Sequence, residues 1–303
     1  MFFRNLVMFR FPPAVDLSQV AELLPAAVLK PVGPLEMASR GFISPYGTTE
    51  ESEQLHQAIG QWLWLTVGTQ EKILPVSAVN AALAEKIKKI EQAENRRPGG
   101  RERKRIKDDL LHEMLPKAFV KHGRFDVFLD TQRGVAFVDT SSRREGENVV
   151  SDVRGLLGAF PAMPLNAEVA PRSVLTAWLA GEPTPKGVEL GEECRMEEPA
   201  GSGALISCQK LELRCEEIDK HLEAGMQATR LALVLQDNLS LVLGDDLVVR
   251  KLKFLDGALD KLDDTEGEGH RVELDARFAL QAGELGQLLD LLEQAFKLSK
   301  AEG

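Results

Sequence analysis

The sequence predicts an α+β fold of mixed antiparallel sheets and helices, with a projecting basic helical hairpin. Three observations point there: β-like segments recur in both halves of the chain, two helical periodicities flank the breaker Pro98-Gly99-Gly100, and no fixed-period repeat suggests a solenoid or propeller. A chain of 303 residues, 44% hydrophobic and 28% charged, can bury a substantial core without metals or disulfides. Its organisation reads as a central domain over 1–75 and 118–180, a helical hairpin over 76–117 and a C-terminal domain over 181–303.

Taken in order, Phe2–Phe11 and Trp62–Val67 read as apolar strands, with a helix at Leu17–Leu24 and the loop GFISPYG between them. Ser77 is a candidate N-cap for a helix whose Val79, Leu83, Ile87 and Ile90 form an apolar face opposite a basic one. That helix should end near Asn95, because Pro98 breaks it and Gly99 and Gly100 are free to take positive φ. A second helix over Arg101–Leu115 carries Ile106, Leu110, Met114 and Leu115 on one stripe, so the pair forms a hairpin tipped by RRPGGRERKR. A helix of about 17 residues spans roughly 25 Å, enough to reach alongside a duplex.

Beyond it, Arg124–Asp130 and Val135–Thr140 read as a β-hairpin, followed by helices at Val149–Leu157 and Ser173–Leu179. The acidic, Gly- and Pro-bearing stretch 181–203 reads as a surface loop or boundary. A strand near Leu205, a helix over Glu216–Ala224, strands at Thr229–Leu235, Leu239–Leu243 and Leu247–Phe254, and a helix over Gly283–Leu298 complete the chain. The stripe Leu285, Leu288, Leu289, Leu292 and Phe296 in that last helix reads as core.

Charge is unevenly distributed. The whole chain carries −10, yet residues 86–107 hold ten basic groups (Lys86, Lys88, Lys89, Arg96, Arg97, Arg101, Arg103, Lys104, Arg105, Lys107) against three acidic ones, a local net of +7. Such polarisation aims one surface at a polyanion while the acidic remainder repels it. From charge alone, a merely solvated helical face stays equally open. In LVVRKLKF, strand alternation places Lys251 and Lys253 on one face and Arg250 with Leu252 and Phe254 on the other, suiting either phosphate contact or protection of a sheet edge.

No catalytic constellation is visible. His112-Glu113 lacks the second histidine of a zinc-protease helix, the five histidines are scattered, and Gly99-Gly100 lacks the Lys-Ser/Thr ending of a phosphate loop. Cys194, Cys208 and Cys215 lack metal-site spacing and read as reduced structural thiols. Asp245 and Asp246, followed by Arg250, Lys251 and Lys253, offer one enzymatic alternative, a metal-dependent nuclease, although an Asp pair after Gly244 is also what a tight turn prefers. A second alternative is an adaptor whose basic hairpin docks an acidic protein. No apolar run approaches the roughly 20 residues of a membrane span, and Arg4 and Arg10 interrupt the apolar N-terminal segment. A cytoplasmic protein is therefore expected. Phe119, flanked by Lys117, Lys121 and His122, either caps the core or enters a pocket on a partner subunit.

Six segments in this order resemble the recombination-associated RdgC family: FFRNLVMFRF, GFISPYG, EKILP at 71–75, LLHEMLPKAF at 110–119, EEIDKHLEAGMQATRLAL at 216–233 and RKLKF at 250–254. The resemblance implies a ring-shaped homodimer, closed at two interfaces, that encircles double-stranded DNA. It also implies a nucleoid association, antagonism of a RecA-type recombinase, no catalysis and no cofactor. The family's basic position after Glu223-Ala224-Gly225 is Met226 here, which leaves Arg230 and Lys210 as substitutes for a cation at that point.

Overall fold

The computed structural model describes residues 2–47, 53–199, 203–265 and 269–299, and their arrangement is mixed α and β with antiparallel sheets. One sheet comprises β1 (Val7–Arg10), β2 (Ala38–Phe42), β3 (His56–Ile59), β4 (Trp62–Ile73), β5 (Phe119–Asp130), β6 (Val135–Val138) and β7 (Met163–Pro164), in the order β2-β4-β5-β6-β1-β7 with β3 also on β4. The other contains β8 (Val188–Glu197), β9 (Leu205–Gln209), β10 (Gln227–Leu235), β11 (Leu239–Gly244) and β12 (Val249–Phe254), in the order β12-β11-β10-β8-β9. The helices are α1 (Val20–Leu23), α2 (Val76–Glu94), α3 (Gly100–Met114), α4 (Arg143–Leu157), α5 (Pro171–Leu179), α6 (Glu216–Glu223), α7 (Asp256–Leu259) and α8 (His270–Phe296). Among the described residues no helix is long and apolar enough to cross a membrane.

The chain divides into two compact units, one of Met1–Leu23, Ser44–Thr66 and Phe125–Gly303, the other of Leu24–Ile43 and Val67–Arg124. In the larger unit a single apolar cluster takes in Phe3, Met8, Trp64, Phe128 and Phe137 together with Leu175, Leu231, Leu243, Phe278, Leu285 and Phe296. Every residue of β1 is buried, as a central strand covered on both faces requires. The leucine stripe of α8 is core as expected, with Leu285, Leu288, Leu289, Leu292 and Phe296 no more than 1% exposed. A buried carboxylate, Asp126, accepts hydrogen bonds from Trp64 Nε1 at 3.0 Å and Thr66 Oγ1 at 2.7 Å, which satisfies polar groups that the sheet would otherwise strand.

In the smaller unit β2 pairs with the second half of β4, from Ala38 opposite Glu71 to Phe42 opposite Val67. Gly41 is required there, since a Cβ would lie 2.5 Å from the Leu29 backbone. The ammonium of Lys72, within EKILP, is buried and donates to the carbonyls of Gly33 at 2.7 Å and Pro34 at 2.5 Å.

Several elements depart from expectation. The acidic stretch 181–203 contains β8, a ten-residue strand whose alternate residues Cys194 and Met196 enter the core while its glutamates stay at the surface or half-buried. Strands β2 and β3 had no strand-like sequence signal. Helix α4 starts at Arg143, capped by Ser142 Oγ accepting from Glu145 N at 3.3 Å, and α8 starts at His270. Ser77 caps nothing, because α2 starts at Val76 with Pro75 in the cap position. Gly99 and Gly100 do not take positive φ, whereas Asn95, at φ 50°, makes the left-handed end of α2.

The β5–β6 turn depends on Gly134, held at φ 65° with the Phe11 carbonyl oxygen 2.1 Å from where a Cβ would sit. Gly134→Ala should therefore destabilise the protein by about 3 kcal/mol or more, through a left-handed alanine and a backbone clash. Gly158→Ala, at φ 77° with open space around it, should cost only about 1 kcal/mol. Urea denaturation of both variants checks this, and equal losses would refute the packing argument.

Candidate nucleic-acid interface

Helices α2 and α3 lie side by side and antiparallel, as an ion pair from the middle of α2 to the end of α3 and another at the connecting tip show. Lys86 meets Glu113 at 2.9 Å, and Arg96 forks onto Glu102 with bonds of 2.7 and 2.8 Å. Half-buried Leu83, Ile87 and Ile90 on α2 and Ile106, Leu111 and Met114 on α3 supply the apolar side of this pair. Leaving the helical pattern at Asn95 and resuming it at Gly100 sets the connecting tip.

The basic residues divide into two groups. Four are engaged by carboxylates: Lys86, Lys89 with Glu85 at 2.7 Å, Arg96 with both Glu94 and Glu102, and Arg97 with Glu91 at 3.1 Å. The hydrogen bond from Arg96 holds the Glu102 carboxyl below its usual range and raises the guanidinium's own pKa, and the bond from Lys89 holds the Glu85 carboxyl below its usual range. Arg103 Nε instead donates to the Pro98 carbonyl at 3.0 Å, tying α3 to the tip. Among the described residues Lys88, Arg101, Lys104, Arg105 and Lys107 form no ion pair, and all but Lys107 are exposed. Arg101, Lys104 and Arg105 follow the i, i+3, i+4 spacing that shares one helix face. Because exposed ion pairs contribute little, the paired group can also exchange its carboxylates for phosphate, but the unpaired group needs no exchange.

The second basic surface is the sheet face of the larger unit that points away from its core. Cross-strand partners identify it: Arg230 stands opposite Arg195 and Gly244, Val242 opposite Arg250, and Ser240 opposite Lys253. Here simple alternation fails. A bulge lies between the Ser240 and Val242 pairings, with Lys251 left-handed at φ 53°. The extra residue puts Arg250 on the same face as Lys253, while Leu252 and Phe254 enter the core, which corrects the expected grouping of Arg250 with those two. Arg250 is bonded to both oxygens of Asp246, at 3.0 and 2.6 Å, and Lys251 reaches Glu193 at 2.5 Å. Lys253, Arg230 and Lys210 have no ion pair among the described residues, and Lys210 is exposed at φ 55° beyond β9. Met226 is buried in the core, so its side chain does not reach this surface. Arg195, bonded to Glu197 at 2.8 Å, was missed because its strand was read as a loop.

The proposed nuclease carboxylates are both committed to arginines. Asp245 Oδ2 accepts from Arg172 at 2.9 and 2.7 Å, while Asp246 faces Arg250 and its carbonyl accepts from Arg143. Among the described residues no group of three His, Cys, Asp or Glu side chains is arranged to hold a metal ion. Both aspartates sit at the β11–β12 turn, with Asp246 Oδ1 accepting from Val248 N at 3.1 Å. Phe119, at the start of β5, is 83% exposed, so it does not cap the core. Leu35, Met37, Ile73 and Val76 of the same unit are also exposed.

Burial alone would raise the Asp246 carboxyl, yet its bonds from Arg250 and Val248 outweigh burial and hold it below the usual range. A depressed folded-state value contributes stability above the ordinary carboxylate pKa, and that contribution disappears as pH falls through the folded value. Asp246→Asn should lose about 1–2 kcal/mol at pH 7, solvent screening included. The gap from the parent should close below about pH 4. Denaturation between pH 2 and 7 tests it; a constant gap would mean the carboxylate charge contributes nothing.

The family profile described as "Putative exonuclease, RdgC" matches residues 1–299. The chain is 64% identical to the recombination-associated protein RdgC of Stenotrophomonas maltophilia strain R551-3 over 302 residues, covering 100% of both chains. It is 62% identical to that of Xanthomonas campestris pv. campestris strain B100 and 63% identical to that of Xanthomonas axonopodis pv. citri strain 306, with 100% coverage of each.

Proposed function

Because the chain belongs to the RdgC family of recombination-associated proteins, we propose that it binds double-stranded DNA without sequence preference, as a ring-shaped homodimer that restrains RecA-type recombination. The observation that carries this reading is the set of unpaired cations Lys88, Arg101, Lys104 and Arg105, exposed on one helix pair of a protein whose net charge is −10. A phosphate backbone is the polyanion such a row fits, and contacts to phosphate carry no base information. The reading makes the helix pair a projecting hairpin and the face bearing Arg230, Arg250 and Lys253 a second contact surface, with Lys251 and Lys210 beside it. It also places the protein in the cytoplasm, on the nucleoid, and gives it no cofactor.

The family profile's wording names an exonuclease, and a nuclease is the competing reading. Arginine pairing of Asp245 and Asp246 speaks against those two as metal ligands, since a cation would have to displace a guanidinium from each.

Binding to unrelated duplexes should agree within a few-fold and weaken about 150- to 500-fold between 50 and 200 mM salt, as expected for about four to five phosphate contacts. Neutralising Lys88, Arg101, Lys104 and Arg105 together should lower the salt slope by up to about one unit per lost contact, and neutralising Arg250, Lys251 and Lys253 should lower it less. Mobility-shift titrations with Mg²⁺ present, followed by sizing of the DNA, read both points. A thousandfold preference for one sequence would overturn non-specific binding, and shortened DNA would support the nuclease.

Exposed Phe119 is the subunit anchor in this reading. Phe119→Ser should weaken self-association at least about tenfold with the melting temperature nearly unchanged, because an exposed side chain contributes little to the monomer. Equilibrium sedimentation together with thermal melting separates the two effects. Unaltered association would remove Phe119 from the interface.

A further inference from the structure

All three cysteines of the chain gather at one place in the larger unit. Cys194 on β8 and Cys208 on β9 are direct cross-strand partners, so both side chains lie on the core face of the sheet. Cys215, which precedes α6, packs against the same apolar cluster. Exposure differs within the group: Cys194 is fully buried, whereas Cys208 and Cys215 are half-exposed.

We propose that Cys194 and Cys208 form a reversible peroxide-sensitive dithiol whose oxidation ties edge strand β9 to β8. Directly opposed residues of an antiparallel pair have Cα atoms about 4.5–5.5 Å apart, inside the roughly 4.4–6.8 Å that a disulfide spans. The half-exposed sulfur reacts first. Cys208 attacks a peroxide oxygen, the O–O bond breaks, and Cys208 becomes a sulfenic acid as one water leaves. The Cys194 sulfur then attacks the Cys208 sulfur, forming the S–S bond and breaking the S–O bond, and the departing hydroxyl takes the Cys194 proton as a second water. In sum, two thiols are oxidised by two electrons and one hydrogen peroxide is reduced to two waters. Burial and the neighbouring Cys208 push the Cys194 thiol up to about 12, so this sulfur is not itself the group that meets peroxide. Its position directly opposite Cys208 nevertheless makes it the resolving thiol.

The consequence is local. β9 is the end strand of its sheet, with Leu205, Ser207 and Gln209 exposed, and a cross-strand bond fixes it to the interior strand β8. The bond also closes the loop between Cys194 and Cys208, a length at which chain-entropy arguments expect stabilisation.

The test treats the full folded chain with one to two equivalents of hydrogen peroxide, alkylates remaining thiols under denaturing conditions and maps the peptides by mass. The expected result is loss of two titratable thiols, a Cys194–Cys208 cross-linked peptide lighter by two hydrogens, alkylated Cys215, complete reversal by dithiothreitol and a melting temperature raised by about 3–8 °C. Cys215→Ala should leave this unchanged, whereas Cys208→Ser should abolish the link and the shift. Three intact thiols, oxygen adducts without a cross-link, or a link to Cys215 or between chains would each overturn the proposal. Mapping the unsubstituted chain decides the matter even if a cysteine variant fails to fold.

Discussion

At the centre of the larger unit Phe278 packs against Trp64 at 5.4 Å and Phe128 at 4.6 Å, and the rest of that unit is arranged around this aromatic contact. It brings α8 onto the first sheet. Further along the same helix, Phe296 stacks near Trp178 of α5 at 5.8 Å, and α5 in turn packs along β10 of the second sheet. One helix therefore shares an apolar core with both sheets. Buried polar side chains beside it are given partners, as Gln281 is in accepting from the Phe3 backbone at 2.8 Å and Glu284 in accepting from Lys261 at 2.8 Å. Such a centre leaves the sheet face beyond it free to carry charge.

The helix pair was legible because two independent signals coincide in it. Apolar residues recur at helical spacing on either side of a proline-glycine break, and α2 and α3 appear within a residue or two of where that pattern puts them. The second sheet was legible where its strands are apolar, as at β10 and β11, but not at β8. There VELGEECRME gives only Val188, Cys194 and Met196 to the interior, and bulges opposite β10 interrupt the alternation by which a strand is recognised. The first half of α8 escaped notice for the opposite reason: with Phe278, Gln281 and Glu284 buried alongside its leucines, no clean polar face marks it.

Within the candidate interface, residue type was readable and residue partnership was not. Lysines and arginines announce themselves, yet nothing in RRPGGRER says that Arg96 closes on Glu102 while Arg101 stays unpaired. The same limit applies to RKLKF. Its alternation is real on paper, but Lys251 adopts a left-handed conformation that lysine rarely visits, so the register change had no compositional cue. Asp245 and Asp246 show the reverse case, in which the turn their sequence suggests is present, while of the arginines around them only Arg250 is local and Arg172 and Arg143 come from over 70 and 100 positions away.

The pairing of the first strand has a consequence for biosynthesis. Leu6 bridges Val249, Phe3 bonds Gln281 across 278 residues of chain, and β1 lies between β6 and β7. An apolar segment that leaves the ribosome early thus waits for partners translated at the far end. The smaller unit needs only residues up to Arg124 and can form while synthesis continues. The larger unit cannot close until α8 has emerged, and its many non-local contacts make that closure slow. Until then, FFRNLVMFRF lacks the α8 and β12 partners that cover it in the folded unit.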